Sequence, residues 1–299
     1  MLYLILASII WAFSFGLIKH NLIIPGLDSN FVAFIRLALS FCVFIPFLRL
    51  KHLKTRLVLD LMVTGAIQYG LMYLSYMYSY HFLAAHQVAL FTIFTPIFVT
   101  LVNDIFRKKF HSIFLVTALF SVLGTGIIIT SDLNIEVTLT GIMILQFSNL
   151  CFAYGQVRYK IIMGPRLKTP GAKDQNQDKL KDRDVFALLY LGAVIVSVIP
   201  SLITTDWSSL QVTNAQVYTL LYLGIIPSGI CFFLWNLGAR NTNAGTLAVL
   251  NNAKIPLAIV FSLIIWNEIA NIPKLVIGGL IIFIAVLINE KYSNRLNGK

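Results

Sequence analysis

Acidic side chains are scarce in this sequence. Of 299 residues only 12 are Asp or Glu, and charged residues of both signs make up 12%, against about 25% in an average soluble domain. That excludes an ordinary water-soluble globule. The three cysteines, Cys42, Cys151 and Cys231, all fall inside apolar runs with no partner at a metal-ligand spacing, and they read as small buried hydrophobes. The five histidines, at positions 20, 52, 81, 86 and 111, form no HExxH or comparable pattern, so neither a metal site nor a cofactor is expected. No GxxxxGK[ST] loop is present, so energy for any transport step has to come from an ion gradient or from substrate exchange. The first apolar run is preceded by no basic residue and ends at Lys19-His20 without a small-residue cleavage site. It reads as a retained first helix and not as a signal peptide.

What the chain has in abundance is hydrocarbon: 58% hydrophobic residues and a mean hydropathy of +0.82. In a bilayer every backbone N–H and C=O must be satisfied within the segment or the protein, so long apolar runs become helices. A span needs roughly 20 apolar residues, and ten runs qualify, at about 2–19, 31–49, 58–80, 85–104, 112–130, 139–161, 186–204, 216–237, 245–266 and 273–290. The expected fold class is an all-α integral membrane protein. All but Lys19, Arg36, Lys254 and Lys274 of the 23 basic residues fall on one side of the membrane in this scheme, and the positive-inside rule makes that side and both termini cytoplasmic. The net charge of +11 is thereby explained by topology, with no nucleic-acid partner. The expected setting is the inner or plasma membrane, multi-pass, with the lipid bilayer as surroundings and a monomer or homodimer as the unit.

The chain reads as built twice. At an offset of 160, residues 57–130 overlie 217–290 without a gap, with Pro96 on Pro256, Ala84 on Ala244 and Leu90 on Leu250. At an offset of 140, Trp11-Ala12-Phe13-Ser14 falls on Cys151-Phe152-Ala153-Tyr154, the difference being absorbed mainly by a hydrophilic linker at 164–184. Five helices is an odd number, so the second unit inserts upside down. The units are 1–135 and 136–290, followed by a cytoplasmic tail at 291–299. Ten helices as two inverted five-helix repeats are a transporter signature, with the substrate expected near the midplane between the halves.

Ala244-Gly245-Thr246-Leu247-Ala248 leading to Pro256, then Trp266-Asn267-Glu268 and Ile277-Gly278-Gly279-Leu280, resemble the EamA-type members of the drug/metabolite transporter superfamily. Trp11, Ala84 to Pro96 and Gly124-Thr125-Gly126 extend the resemblance to the first half. It implies ten helices, paired repeats and transport of a small molecule. The chain departs from the family at Phe106-Arg107-Lys108, where members often carry Gly-Glu, and the family pattern does not account for Lys254. Glu268 matches the family's acidic residue at this helix end, where capping is favoured over catalysis.

Lys254 lies about nine residues, roughly 14 Å, into its helix, near the centre of a core about 30 Å thick. Intramembrane charges usually face a cavity or a partner, and no Asp or Glu stands at similar depth. Three roles remain open. An anionic group of the substrate completes the pair, or the lysine carries a proton through the cycle as the coupling residue, or it binds helix-end carbonyls. Arg36 is the second buried cation, and its fork suits a carboxylate, although an anchor at the interface fits its position equally. Tyr69, Tyr73, Tyr76 and Tyr80 share one helix face,, which either lines the pathway or packs against neighbours. Asn251 and Asn252 add hydrogen-bonding capacity to the site or tie helices together, and Trp11 completes the set of candidate substrate-binding residues. The prolines at 46, 96, 200 and 256 permit kinks. The favoured cargo is an amino acid or related carboxylate, moved by alternating access. S-adenosylmethionine or another nucleotide-like metabolite, drug efflux, and a membrane-embedded enzyme are the alternatives, the last lacking any acid/base or metal constellation at depth.

Overall fold

A computed structural model describes residues 1–18, 21–22, 26–51, 53–79, 81–83, 88, 91–129, 139–164, 181–265 and 272–297. Tyr80, His86, the Ala84–Gln87 stretch, most of the 164–184 linker and the Trp266–Glu268 motif lie outside the described residues.

Every regular element among the described residues is helical. In chain order they are α1 (Leu2–Ile18), α2 (Ser29–Phe44) with a 3-10 extension Ile45–Phe47, α3 (Thr55–Gly65), a π-helical stretch Ala66–Leu71 and α4 (Met72–Ser79). A 3-10 turn Thr92–Phe94 then leads into α5 (Thr95–Arg107), followed by α6 (Ser112–Ile129), α7 (Leu139–Met163) and α8 (Asp182–Thr204). The chain continues through α9 (Asn214–Leu223), a second π stretch Gly224–Ile230, α10 (Cys231–Arg240), α11 (Ala244–Ile265) and α12 (Ile272–Asn297). Among the described residues five stretches are long and apolar enough to cross a bilayer: Ser29–Phe47, Thr55–Ser79, Asp182–Thr204, Asn214–Arg240 and Ile272–Tyr292.

Two starts show how polar residues are used. Asp28 caps α2 by accepting from the Phe31 N–H at 2.8 Å, and the Thr205 hydroxyl donates to the same carboxylate at 2.6 Å, tying the start of α2 to the end of α8. Thr213 and Gln216 form a capping box at α9,. Helix α8 begins at Asp182, inside the stretch read as linker, because Asp182 and Asp184 complement the positive end of the helix dipole,.

The packing has a two-fold pattern. α1 lies against α10 and α11, while α7 lies against α4 and α5. α2 packs on the second π stretch and α8 on the first. Two contacts join like to like: α2 with α8, and α6 with α12. Small residues make these approaches possible. A Cβ on Gly65 would stand 1.9 Å from the Leu189 carbonyl oxygen, and one on Gly192 would stand 2.0 Å from that of Met62. Gly124 meets the Gly278 carbonyl in the same way, at 2.9 Å, so this pair serves packing of α6 on α12 within one chain.

Gly65→Ala and Gly192→Ala are therefore expected to force α3 and α8 apart. Overpacking of this kind costs about 1–3 kcal/mol, which thermal unfolding of the detergent-purified protein will register as a lowered midpoint. Midpoints equal to that of the unaltered chain would contradict the close approach.

Candidate functional site

Backbone irregularity builds the site. Pro96 lacks the N–H that would bond the carbonyl of Thr92 four residues back, and the helix ahead of it tightens into a 3-10 turn. The freed carbonyls are taken by side chains. Thr95 Oγ donates to Thr92 O at 2.7 Å and Asn252 Nδ2 to Ile93 O at 3.0 Å. Gln146 Nε2 and Asn149 Nδ2 both reach Phe91 O, at 3.1 and 3.0 Å. The two π stretches do the same on the facing side. Pro227 lies inside the second one, and its carbonyl accepts from Trp11 Nε1 at 2.9 Å. Irregular backbone at membrane depth is tolerated where it is buried in protein or lines a cavity, and π-bulges often mark functional sites.

A cavity of about 110 Å³ lies where these irregular stretches meet. Trp11, Arg36, Tyr73, Tyr76 and Lys254 all line it, brought from α1, α2, α4 and α11. Arg36 is only 4% exposed. Its Nε donates to Ser228 Oγ at 3.0 Å, Tyr73 OH shares a hydrogen bond of 2.8 Å with that same Oγ, and the guanidinium carbon lies 4.8 Å from the Tyr73 ring centroid. Ser228 thus fixes Arg36 and Tyr73 together and leaves the two terminal guanidinium nitrogens without an acceptor among the described residues. Lys254 Nζ lies 5.8 Å from the Trp11 ring and 6.0 Å from that of Phe152, close enough for cation–π attraction. No carboxylate among the described residues pairs with either cation, and none lines the cavity.

Three of the residues singled out from the sequence stand elsewhere. Tyr69 lies in the first π stretch, fully buried, where its hydroxyl accepts from Asn236 Nδ2 at 2.8 Å and its ring stacks on Tyr190 at 5.2 Å. Tyr69 and Tyr73 both pack on the Phe232 ring, at 4.8 and 6.0 Å, but the Tyr69 hydroxyl is committed to Asn236. Asn251 donates to Leu247 O at 2.8 Å and to Gln156 Oε1 at 3.2 Å, and Asn252 serves the Ile93 carbonyl. Conversely, Ser228, Pro227, Phe232, Phe152, Ser148 and Asn149 were not among the candidates. A proline between Gly224 and Gly229 inside an apolar run was the signal available for the first two.

The cavity occupies only one half of the helix bundle's depth. Ile18, Arg36, Tyr76 and Thr92 place it toward the ends of α1, α2, α4 and α5 that share one face. The opposite half is filled. Gln68 and Asn236 exchange hydrogen bonds of 2.9 and 3.2 Å, and Trp235 Nε1 donates to Gln156 Oε1 at 2.9 Å. Beyond them the Asp182 carboxylate accepts from Tyr159 OH and from Arg240 Nη1, each at 2.6 Å, and Lys160 Nζ donates to the Thr242 carbonyl.

Comparison with known proteins agrees with this architecture. The model of the EamA-like transporter family matches in two segments, residues 1–130 and 176–290. A probable biotin transporter of Pseudomonas aeruginosa is 35% identical over 97% of this chain and 97% of its own. The biotin transporter of Escherichia coli K12 is 34% identical over 98% of this chain and 93% of its own, and that of Salmonella typhimurium is 32% identical over the same shares. A solved crystal structure with 14% identity superposes with a TM-score of 0.74 over 96% of both chains, a likeness of fold alone. The chain belongs to the EamA-like transporter family, and it is a membrane-embedded transporter of a small molecule, not an enzyme.

Proposed function

We propose that this protein transports biotin, with the carboxylate held by Arg36 and Lys254 and the ring system seated among Trp11, Tyr73, Tyr76, Phe152 and Phe232. The observation that carries the reading is the convergence of two cations without a carboxylate partner among the described residues on one cavity, in a chain whose full-length relatives bear that substrate's name. Biotin joins a carboxylate to a flexible methylene chain and a compact bicyclic ureido ring. It therefore offers an anion for the cations, hydrocarbon for the aromatic walls and amide-like groups for Asn149 and Ser148. An amino acid is less well matched. Its ammonium group needs an anion, and no Asp or Glu among the described residues lines the cavity.

The transport cycle is read as alternating access in a ten-helix scaffold of two inverted five-helix repeats, 1–135 and 136–290, set in a bacterial inner membrane with both termini cytoplasmic. Support comes from the two-fold packing pattern, from π stretches at corresponding places in the halves, and from the basic excess at one end. In the state described here the filled half of the bundle closes the path on one side. Opening it requires the Gln68–Asn236 pair, which joins the two repeats, to separate.

In proteoliposomes, uptake of labelled biotin is expected to saturate and to be competed by unlabelled biotin. Arg36→Gln and Lys254→Met should each raise the apparent KM about 10- to 100-fold, since a charge-assisted hydrogen bond contributes about 1.5–3 kcal/mol and 1.4 kcal/mol is a factor of ten. Unchanged KM in both variants would remove the carboxylate from this cavity. Thermal stabilisation by biotin but not by biotin amide or leucine is the matching ligand test; stabilisation by leucine alone would restore an amino acid as cargo. A Lys254→Met protein that keeps its KM while losing the pH dependence of uptake would assign the lysine to proton coupling instead.

A further inference from the structure

Tyr190 of α8 does not line the cavity, yet its hydroxyl is committed to the backbone that forms one of the cavity's walls. The side chain is fully buried. Its ring stacks on Tyr69 and Phe44, with centroids 5.2 and 5.8 Å away, and meets Phe186 edge-on at 5.5 Å. A phenylalanine would serve those ring contacts, whereas a buried hydroxyl costs free energy unless it is hydrogen-bonded. The Tyr190 hydroxyl finds its partners in the second π stretch. It donates to the Ser228 carbonyl and lies 3.2 Å from the Gly229 carbonyl oxygen.

Side chains from three other helices hold that stretch. Ser40 of α2 reaches Gly224 O at 2.8 Å and, in its own helix, Arg36 O at 2.8 Å. Trp11 of α1 holds the Pro227 carbonyl, and Tyr190 of α8 holds that of Ser228. The Ser228 hydroxyl is thereby presented to Arg36 Nε at 3.0 Å and to Tyr73 OH at 2.8 Å. A guanidinium is planar. Fixing Nε while the plane rests against the Tyr73 ring therefore sets the direction of both terminal nitrogens. Ser228 carries one bond on each side, its carbonyl to Tyr190 and its hydroxyl to Arg36.

From this chain of contacts we infer that Tyr190 is a positioning residue for the substrate's carboxylate, acting through Ser228 to aim the terminal nitrogens of Arg36, a role that rests on the carboxylate reading of the cavity given above. Tyr159 provides the contrast. It is also fully buried and also meets Phe186 edge-on, at 5.8 Å, but its hydroxyl serves Asp182.

The test is biotin uptake into proteoliposomes by the full chain carrying Tyr190→Phe, which keeps the ring and its stacking. KM is expected to rise about 3- to 10-fold, the range that one neutral hydrogen bond supplies, with the maximal rate little changed. Ser228→Ala, which breaks the link in the middle, should raise KM at least as much. In the Ser228→Ala or Arg36→Gln protein, adding Tyr190→Phe should raise KM no further. Tyr159→Phe should keep the wild-type KM. A wild-type KM in Tyr190→Phe overturns the proposal, as does a rise that persists in full on top of Arg36→Gln, or an equal rise in Tyr159→Phe. A wild-type chain that takes up no biotin overturns the proposed cargo alone. Ligand-free thermal midpoints then decide for Tyr190: the shifts of Tyr190→Phe and Arg36→Gln should be non-additive, and additive shifts overturn its link to Arg36.

Discussion

A backbone carbonyl inside a bilayer has no water to turn to, and the architecture of this transporter follows from how it meets that constraint. Where Pro96 breaks the ladder, donors arrive from other helices: Asn149 and Gln146 from α7, Asn252 from α11 and Thr95 from the turn itself. Where Pro227 interrupts the run on the other side, Trp11 of α1 donates to its carbonyl. Each repair pins two or three helices at the level of the break. The space left between them is the cavity, and its polar lining is largely the by-product of satisfying backbone.

The same logic separates residues that serve structure from residues left over for a ligand. Asn252 is engaged with Ile93, Asn251 with Leu247 and Gln156, and Tyr69 with Asn236. Arg36 is only half engaged: Ser228 holds Nε and the Tyr73 face supports the plane, while the terminal nitrogens stay available. Lys254 has aromatic faces and no carboxylate among the described residues. An anion entering the cavity meets two positive charges whose positions are already set, which reduces the reorganisation that binding requires.

The two halves of the bundle's depth differ in how they are filled. One half holds the cavity; the other holds amide pairs, stacked rings and the Tyr159–Asp182–Arg240 cluster. Of these polar contacts the Gln68–Asn236 pair joins the first half of the chain to the second, whereas Tyr159, Asp182 and Arg240 all belong to the second. The close approaches at Gly65 and Gly192 hold α3 against α8.

Composition and periodicity by themselves determined that the chain is helical and membrane-embedded, because hydrocarbon permits little else. They also located Trp11, Arg36, Tyr73, Tyr76 and Lys254, since a charge or a polar ring stands out against so apolar a background. Only the tertiary structure decided which polar residues were committed elsewhere. Tyr69 shares a helical repeat with Tyr73, and both rings pack on Phe232, yet the Tyr69 hydroxyl is taken by Asn236 of another helix, and no local sequence rule announces that partner. Asn251, Asn252 and Ser228 look alike as buried polar side chains. What distinguishes them is which carbonyl or cation another helix brings within 3 Å, and that depends on helix packing.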